Sequence, residues 1–163
     1  MRKIYFIYNP HSGKEQIGSK LNEIIRTLAE KDNELTVVPT IGYLDAMERI
    51  MNLKDGYDQV VCSGGDGTLD EVVTGMMKRP VEKRIPIGYI PAGTTNDFAK
   101  SLEIPRNMVE AARTAMLGNH LPVISVLLTR IPLYILHLLE FSQKFLIVHH
   151  RKLKTYWDTW LIY

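Results

Sequence analysis

Along roughly the first 120 residues, short apolar runs alternate with longer segments whose apolar positions recur at helical spacing. Lys3–Tyr8 reads as a strand. Leu21, Ile24, Ile25 and Leu28 then mark one face of a helix. Leu35–Val38 is a short second strand that ends at Pro39, and Tyr43–Asn52 is a helix with Leu44, Met47, Ile50 and Met51 on one face. A turn at Asp55-Gly56 leads into a third strand, Val60–Cys62, and Leu69–Met77 follows as a helix. Ile85–Ile90 is a fourth strand, and an alanine-rich helix over Met108–Leu117 closes at Gly118.

Strands that alternate with helices predict parallel βαβ units and an α/β layer fold. Ligands in such sheets bind at the carboxyl ends of the strands, so chemistry is expected in the loops that follow them.

Three of those loops are unusual. Asn9-Pro10-His11-Ser12-Gly13-Lys14 follows the first strand and opens the first helix. Ser12 can cap that helix and leave N–H groups free for an anion. Asn-Pro and Ser-Gly are also ordinary turn pairs, and a simple turn remains an equal reading of this loop. Gly64-Gly65-Asp66-Gly67-Thr68 follows an apolar strand and precedes a helix. Its glycines permit positive φ and close approach of a phosphate to the backbone, and the helix start adds N–H donors and a positive dipole end. Asp66 should repel an anion, so it is expected to orient a loop amide or to hold Mg²⁺. A hairpin turn does not fit the helix that follows, and neither the dinucleotide fingerprint nor a Walker loop is complete here. The loop therefore reads as a phosphate-binding loop of another type. Pro91-Ala92-Gly93-Thr94-Thr95-Asn96-Asp97-Phe98 follows the fourth strand. Asn96 and Asp97 could simply cap the next helix, but a second glycine-threonine loop at the same sheet edge favours one shared nucleotide site.

Composition narrows the class only a little. The 163 residues suit one domain, since domains fall at roughly 100–200 residues, and 45% hydrophobic content is enough for a core. A formal net charge of +2 is too weak to argue for nucleic acid. The single cysteine, Cys62, excludes an internal disulfide, favours a reducing compartment and reads as a small core residue. The first apolar run is too short for a signal peptide. The best candidate for a membrane span, Val123–Val148, is interrupted by Arg130, Pro132, His137, Glu140 and Lys144.

Asn9-Pro10-His11-Ser12-Gly13, Gly64-Gly65-Asp66-Gly67-Thr68-Leu69-Asp70-Glu71-Val72 and Pro91-Ala92-Gly93-Thr94-Thr95-Asn96-Asp97-Phe98-Ala99 resemble the catalytic-domain motifs of bacterial diacylglycerol kinases. That family is related to sphingosine kinases and, more distantly, to NAD kinases. The resemblance covers about residues 1–123. It implies a parallel-sheet nucleotide-binding domain. It implies ATP binding by Asn9, Pro10, His11, Ser12 and Gly13, by Thr40 after the second strand, by Gly64, Gly65, Asp66, Gly67, Thr68, Leu69, Asp70 and Glu71, and by Gly93, Thr94 and Asn96. The implied reaction carries the γ-phosphoryl group of ATP to a lipid hydroxyl such as that of diacylglycerol, with Mg²⁺ neutralising the phosphates. The family usually has Asn where this chain has Asp70, and the extra carboxylate is expected to weaken ATP binding slightly. A cytoplasmic protein with peripheral contact at the inner face of the membrane is implied as well. An NAD kinase-like enzyme and a non-catalytic nucleotide-binding remnant are the alternatives; the first and third motifs favour the lipid branch.

The family continues with a β-rich domain that carries the lipid pocket and the general base. Residues 123–163 do not read as such a domain. All 11 glycines lie in the first 122 residues, and the tail lacks turn signals. A shifted reading frame accounts for it: loss of one base from the Asp codon of the family's Val-Asp-Ile-Gly gives Val-Ile-Ser, as at Val123-Ile124-Ser125. The expected organisation is thus a nucleotide-binding domain over 1–122 and an aberrant tail over 123–163, with the second domain missing and the chain inactive alone. The codons for Pro122–Ser125 decide it. A membrane-seeking segment anchored by Trp157 and Trp160, or a helical hairpin, are rival readings that Pro122 and Pro132 disfavour. His149-His150 is a poor metal pair, because adjacent side chains point apart.

Overall fold

A computed structural model describes residues 1–117, 121–124 and 159–162. The elements are β1 (Lys3–Tyr8), α1 (Gln16–Leu28), β2 (Glu34–Pro39), α2 (Asp45–Met51), β3 (Gln59–Gly64), α3 (Asp66–Met77), β4 (Ile87–Pro91), α4 (Asp97–Ser101) and α5 (Met108–Met116). Leu121–Ile124 (β5) and Thr159–Ile162 (β6) are neighbouring strands. The chain divides into two compact units, residues 1–120 with 162–163, and residues 121–161. The rest of the tail and Gly118 lie outside the described residues. Among the described residues no helix is long and apolar enough to cross a membrane.

In the first unit β1 to β4 form a parallel sheet in the order β2-β1-β3-β4. The chain steps from β1 to β2 in one direction and returns past β1 to β3 and β4 in the other. Right-handed crossovers then place helices on both faces. α1 packs on α5, and α2 packs on α3. β3 is buried along its whole length, as a strand covered on both faces must be. Ile4, Phe6 and Ile7 of β1, Val60 and Val61 of β3, and Ile87, Tyr89 and Ile90 of β4 make the sheet's share of the core. Ile17, Ile24 and Leu28 of α1 and Val72 and Met76 of α3 are equally buried. The register aligns Tyr8 with Pro39 and with Ser63, and Gly64 with Pro91. All four carboxyl ends therefore finish at one edge, and the strand order reverses between β1 and β3.

Several boundaries differ from the sequence expectation. α2 begins at Asp45 and not at Tyr43, because Leu44 sits at φ 63, a left-handed conformation that a helix cannot contain. Its buried face is Ala46 and Ile50, while Tyr43 is exposed. α3 begins at Asp66, so the glycine segment is a strand end and a first helical turn rather than a free loop. β4 begins at Ile87, since Pro86 has no N–H for the ladder. Ser12 does not adjoin α1: it opens a 3-10 turn, Ser12–Glu15, ahead of Gln16.

Candidate functional site

The three glycine-bearing segments meet at the carboxyl edge of the sheet, and backbone contacts lock them together. Asn9 N–H donates to Ser63 O at 2.9 Å, joining the ends of β1 and β3. Ala92 N–H donates to Gly64 O at 2.8 Å, joining β3 to β4. Gly13 lies at φ 53 with its backbone against Ala92 O, so a side chain there would be strained and would collide with a carbonyl. Gly93 is packed on Gly65, whose Cα would stand 2.6 Å from a Cβ at position 93. Positive φ, which the glycines at 64, 65 and 67 would permit, is not used there; among the described glycines only Gly13 and Gly56 have it. The role of Gly64 and Gly93 is close approach, since a Cβ at either would collide with a neighbour. Gly64 is overlain by the Thr68 side chain, and Gly67 faces open space.

Side chains fix the arrangement further. Asn9 uses its whole amide: Oδ1 accepts His11 N–H at 2.9 Å, and Nδ2 donates to Thr68 Oγ1 at 3.3 Å. Asn96, at φ 49, grips Gly93 from both sides: Oδ1 accepts Gly93 N–H at 2.9 Å and Nδ2 donates to Gly93 O at 2.6 Å. It is the residue before α4 but makes no side-chain cap to it. Asp66 Oδ2 accepts Asp97 N–H at 3.1 Å, which ties α3 to the start of α4. Its Oδ1 is buried without a hydrogen-bond partner among the described residues. Tyr89 lies beneath these loops and donates its hydroxyl to Gly64 O at 3.1 Å. Burial, above all, pushes that phenol up from its ordinary value.

A cleft of about 450 Å³ opens above this base. Of the residues expected at a ligand, Asn9, Ser12, Gly13, Gly65, Gly67, Thr68, Asp70, Glu71 and Gly93 line it. Gly65 caps α3 with no side chain, so the first N–H groups of α3 are left for a ligand. The other expected residues are placed differently. Leu69 is a core residue on the packed side of α3, and Thr40 is buried where its N–H meets Tyr8 O at 2.8 Å. Pro10, His11, Gly64, Asp66 and Asn96 do not line the cleft. Thr94 and Asn96 open on a second cavity of about 200 Å³, with Lys100 and Arg106 at its wall.

Two lining residues were not foreseen. Tyr43 and Leu44, assigned to a helix by their spacing, belong to the loop after β2 and form part of the wall. Glu71 Oε1 accepts Leu44 N–H at 3.1 Å and so ties that loop to α3. The rule that ligands sit at strand carboxyl ends applied to β2 as much as to the others, and Gly42 was the local sign of a turn. Tyr89 was also missed, since an aromatic in a strand gives no sign that its hydroxyl braces a loop. Cys62, expected in the core, is fully buried, and burial raises its thiol well above the ordinary range.

The model of the diacylglycerol kinase catalytic domain matches residues 3–127. The chain is 36% identical over 123 residues to a diacylglycerol kinase of Staphylococcus carnosus, covering 75% of this chain and 40% of that protein. It is 36% identical over 126 residues to a diacylglycerol kinase of Bacillus subtilis, covering 76% of this chain and 41% of that one. A solved structure, a diacylglycerol kinase from Bacillus anthracis, superposes with a TM-score of 0.68 at 32% identity, over 76% of this chain and 44% of its own. The chain thus spans about 40% of the length of the curated relatives it matches. With the matched residues taking in all three loops of the cleft, the chain belongs to the diacylglycerol kinase catalytic-domain family.

Proposed function

We propose that the cleft holds the polyphosphate of ATP, and that this chain is the nucleotide-binding part of a lipid kinase acting on a diacylglycerol-like hydroxyl. One observation carries the reading: the loops after β1, β3 and β4 are locked backbone to backbone around an uncapped helix start that opens on the cleft. Such a base offers an anion fixed N–H donors and the positive end of the α3 dipole. Closely packed glycines let phosphate oxygens approach those amides, and Thr68 adds a hydroxyl held by Asn9.

Mg²⁺ fits the donor set at the cleft wall. Asp70 presents a carboxylate there, while Glu71 is turned to the loop after β2, where one of its oxygens accepts Leu44 N–H. No group of three or more metal-binding side chains occurs among the described residues. Phosphate oxygens and water would therefore complete the coordination, as is usual for Mg²⁺. When bound, the ion neutralises phosphate charge during transfer.

Calorimetry with MgATP tests the reading. The 163-residue chain should bind MgATP, and Gly67→Val should weaken that binding at least a few-fold while leaving the fold intact. A Cβ at position 67 meets nothing within 4 Å in the protein, so the branched side chain projects into the space assigned to the ligand. Unchanged affinity in a folded Gly67→Val variant removes this segment from the site. Phosphorylation assays offering diacylglycerol and NAD side by side separate the lipid-kinase reading from an NAD kinase-like one.

A further inference from the structure

The loop after β2 shows Tyr43 on a braced turn. Ile41 N–H donates to Asp45 Oδ2 at 3.1 Å, and Leu44 N–H donates to Glu71 Oε1 at 3.1 Å. Leu44 is held left-handed at φ 63, a strained state for a branched residue that its surroundings must maintain. The product of this bracing is a ring that lines the cleft while remaining 89% exposed. Tyr43 and Leu44 are the only apolar side chains of the cleft wall among the described residues.

Their position is at one end. The order β2-β1-β3-β4 places β2 three strands from β4, and strands lie about 4.8 Å apart, so the loops after β2 and β4 that contribute to the cleft stand roughly 14 Å apart along the carboxyl edge. A nucleotide can therefore reach from one loop towards the other. The free amide donors lie over β3, at the uncapped start of α3. At that end no apolar side chain meets the ligand, so a flat heterocycle gains nothing there. At the β2 end it finds an aromatic face, an aliphatic side chain and the Glu71 carboxylate as hydrogen-bond acceptor.

We infer that Tyr43 stacks on the base of the bound nucleotide and is a specificity-determining residue, separating nucleoside triphosphates from bare polyphosphate. The inference rests on the nucleotide reading of the cleft. Because every base has a π-face, stacking favours nucleotides as a class over any one base.

Displacement titrations on the full chain with ATP and with inorganic tripolyphosphate test it. Tyr43→Ala should lose roughly tenfold in ATP affinity, within the range measured for base–aromatic stacking. It should bind tripolyphosphate as the unaltered chain does. Tyr43→Trp should retain ATP affinity, and Ile41→Ser, on the same turn but outside the lining, should not change it. Equal loss for both ligands, or no loss for either, overturns the stacking role while leaving the nucleotide site in place. If the unaltered chain binds neither ligand, the nucleotide reading falls and this inference falls with it. If Tyr43→Ala and Ile41→Ser both weaken binding to phosphatidylglycerol vesicles and leave ATP affinity unchanged, the turn is a membrane contact and the inference is overturned.

Discussion

Arg79 shows how much one buried charge can organise. Its guanidinium is 5% exposed and donates to Ile50 O at 3.1 Å, Leu53 O at 2.5 Å and Lys83 O at 3.0 Å, with Asp55 3.4 Å away. These carbonyls belong to the end of α2, the turn that leads towards β3 and the turn between α3 and β4, so one side chain fastens three segments. Arg79→Met would keep the volume and leave the carbonyls unpaired. Hydrogen bonds to charged groups contribute about 1.5–3 kcal/mol each and are not additive, so a loss of roughly 2–4 kcal/mol is expected in urea unfolding. A loss below about 0.5 kcal/mol, typical of surface positions, would show that solvent satisfies those carbonyls. The exposed Lys83–Asp55 pair, 2.8 Å long, is screened by water and should matter far less.

At the scale of elements, close packing of α2 on α3 sets where the first turn of α3 presents its amides. Gly75 makes that approach possible, because a Cβ there would collide with Met47 O and stand 3.0 Å from Ile50 Cβ. Alanine is the better helix former by about 1 kcal/mol, yet overpacking costs about 1–3 kcal/mol. Gly75→Ala should therefore be destabilising by up to about 2 kcal/mol, and a rise in thermal midpoint would show that the helices can separate freely. Glycine at this point of an amphipathic helix was visible in the sequence, but its contact with α2 was not. The same divide runs through the whole fold. Lys3–Tyr8 and the run into Cys62 are buried strands whose apolar residues are continuous, and periodicity reveals such elements. The start of α2 was misplaced because Leu44 is apolar and in phase with Met47 and Ile50, while its backbone is left-handed. Hydrophobic pattern carries no information on φ. Likewise the three motifs marked the right edge of the sheet, but which motif residues face the cleft depended on α3 beginning at Asp66. That start turns Leu69 inward and Gly67 outward.

For the molecule as a whole, the cleft proposed for the nucleotide would account for one substrate of a two-substrate reaction. Its wall is polar apart from Tyr43 and Leu44, and it offers no groove for acyl chains. Phosphoryl transfer needs donor, metal and acceptor in line, and a misplacement of about 1 Å can cost roughly 10²-fold. The purified 163-residue chain is therefore expected to bind MgATP and to give no measurable phosphorylation of diacylglycerol in mixed micelles. Robust transfer would refute this and would place the acceptor site within residues 1–163. The contact of Gly13 with Ala92 and of Gly93 with Gly65 has a consequence for how such a site can change over time. At these contacts each loop is the mould of its neighbour, so a bulky residue at Gly13 or Gly93 displaces the loop packed against it. Natural variation at this edge must then be correlated, and a loop transplanted singly into another parallel-sheet protein would arrive without the surfaces that give it shape. The heritable unit here is the interlocked set, contributed by three strands far apart in the chain.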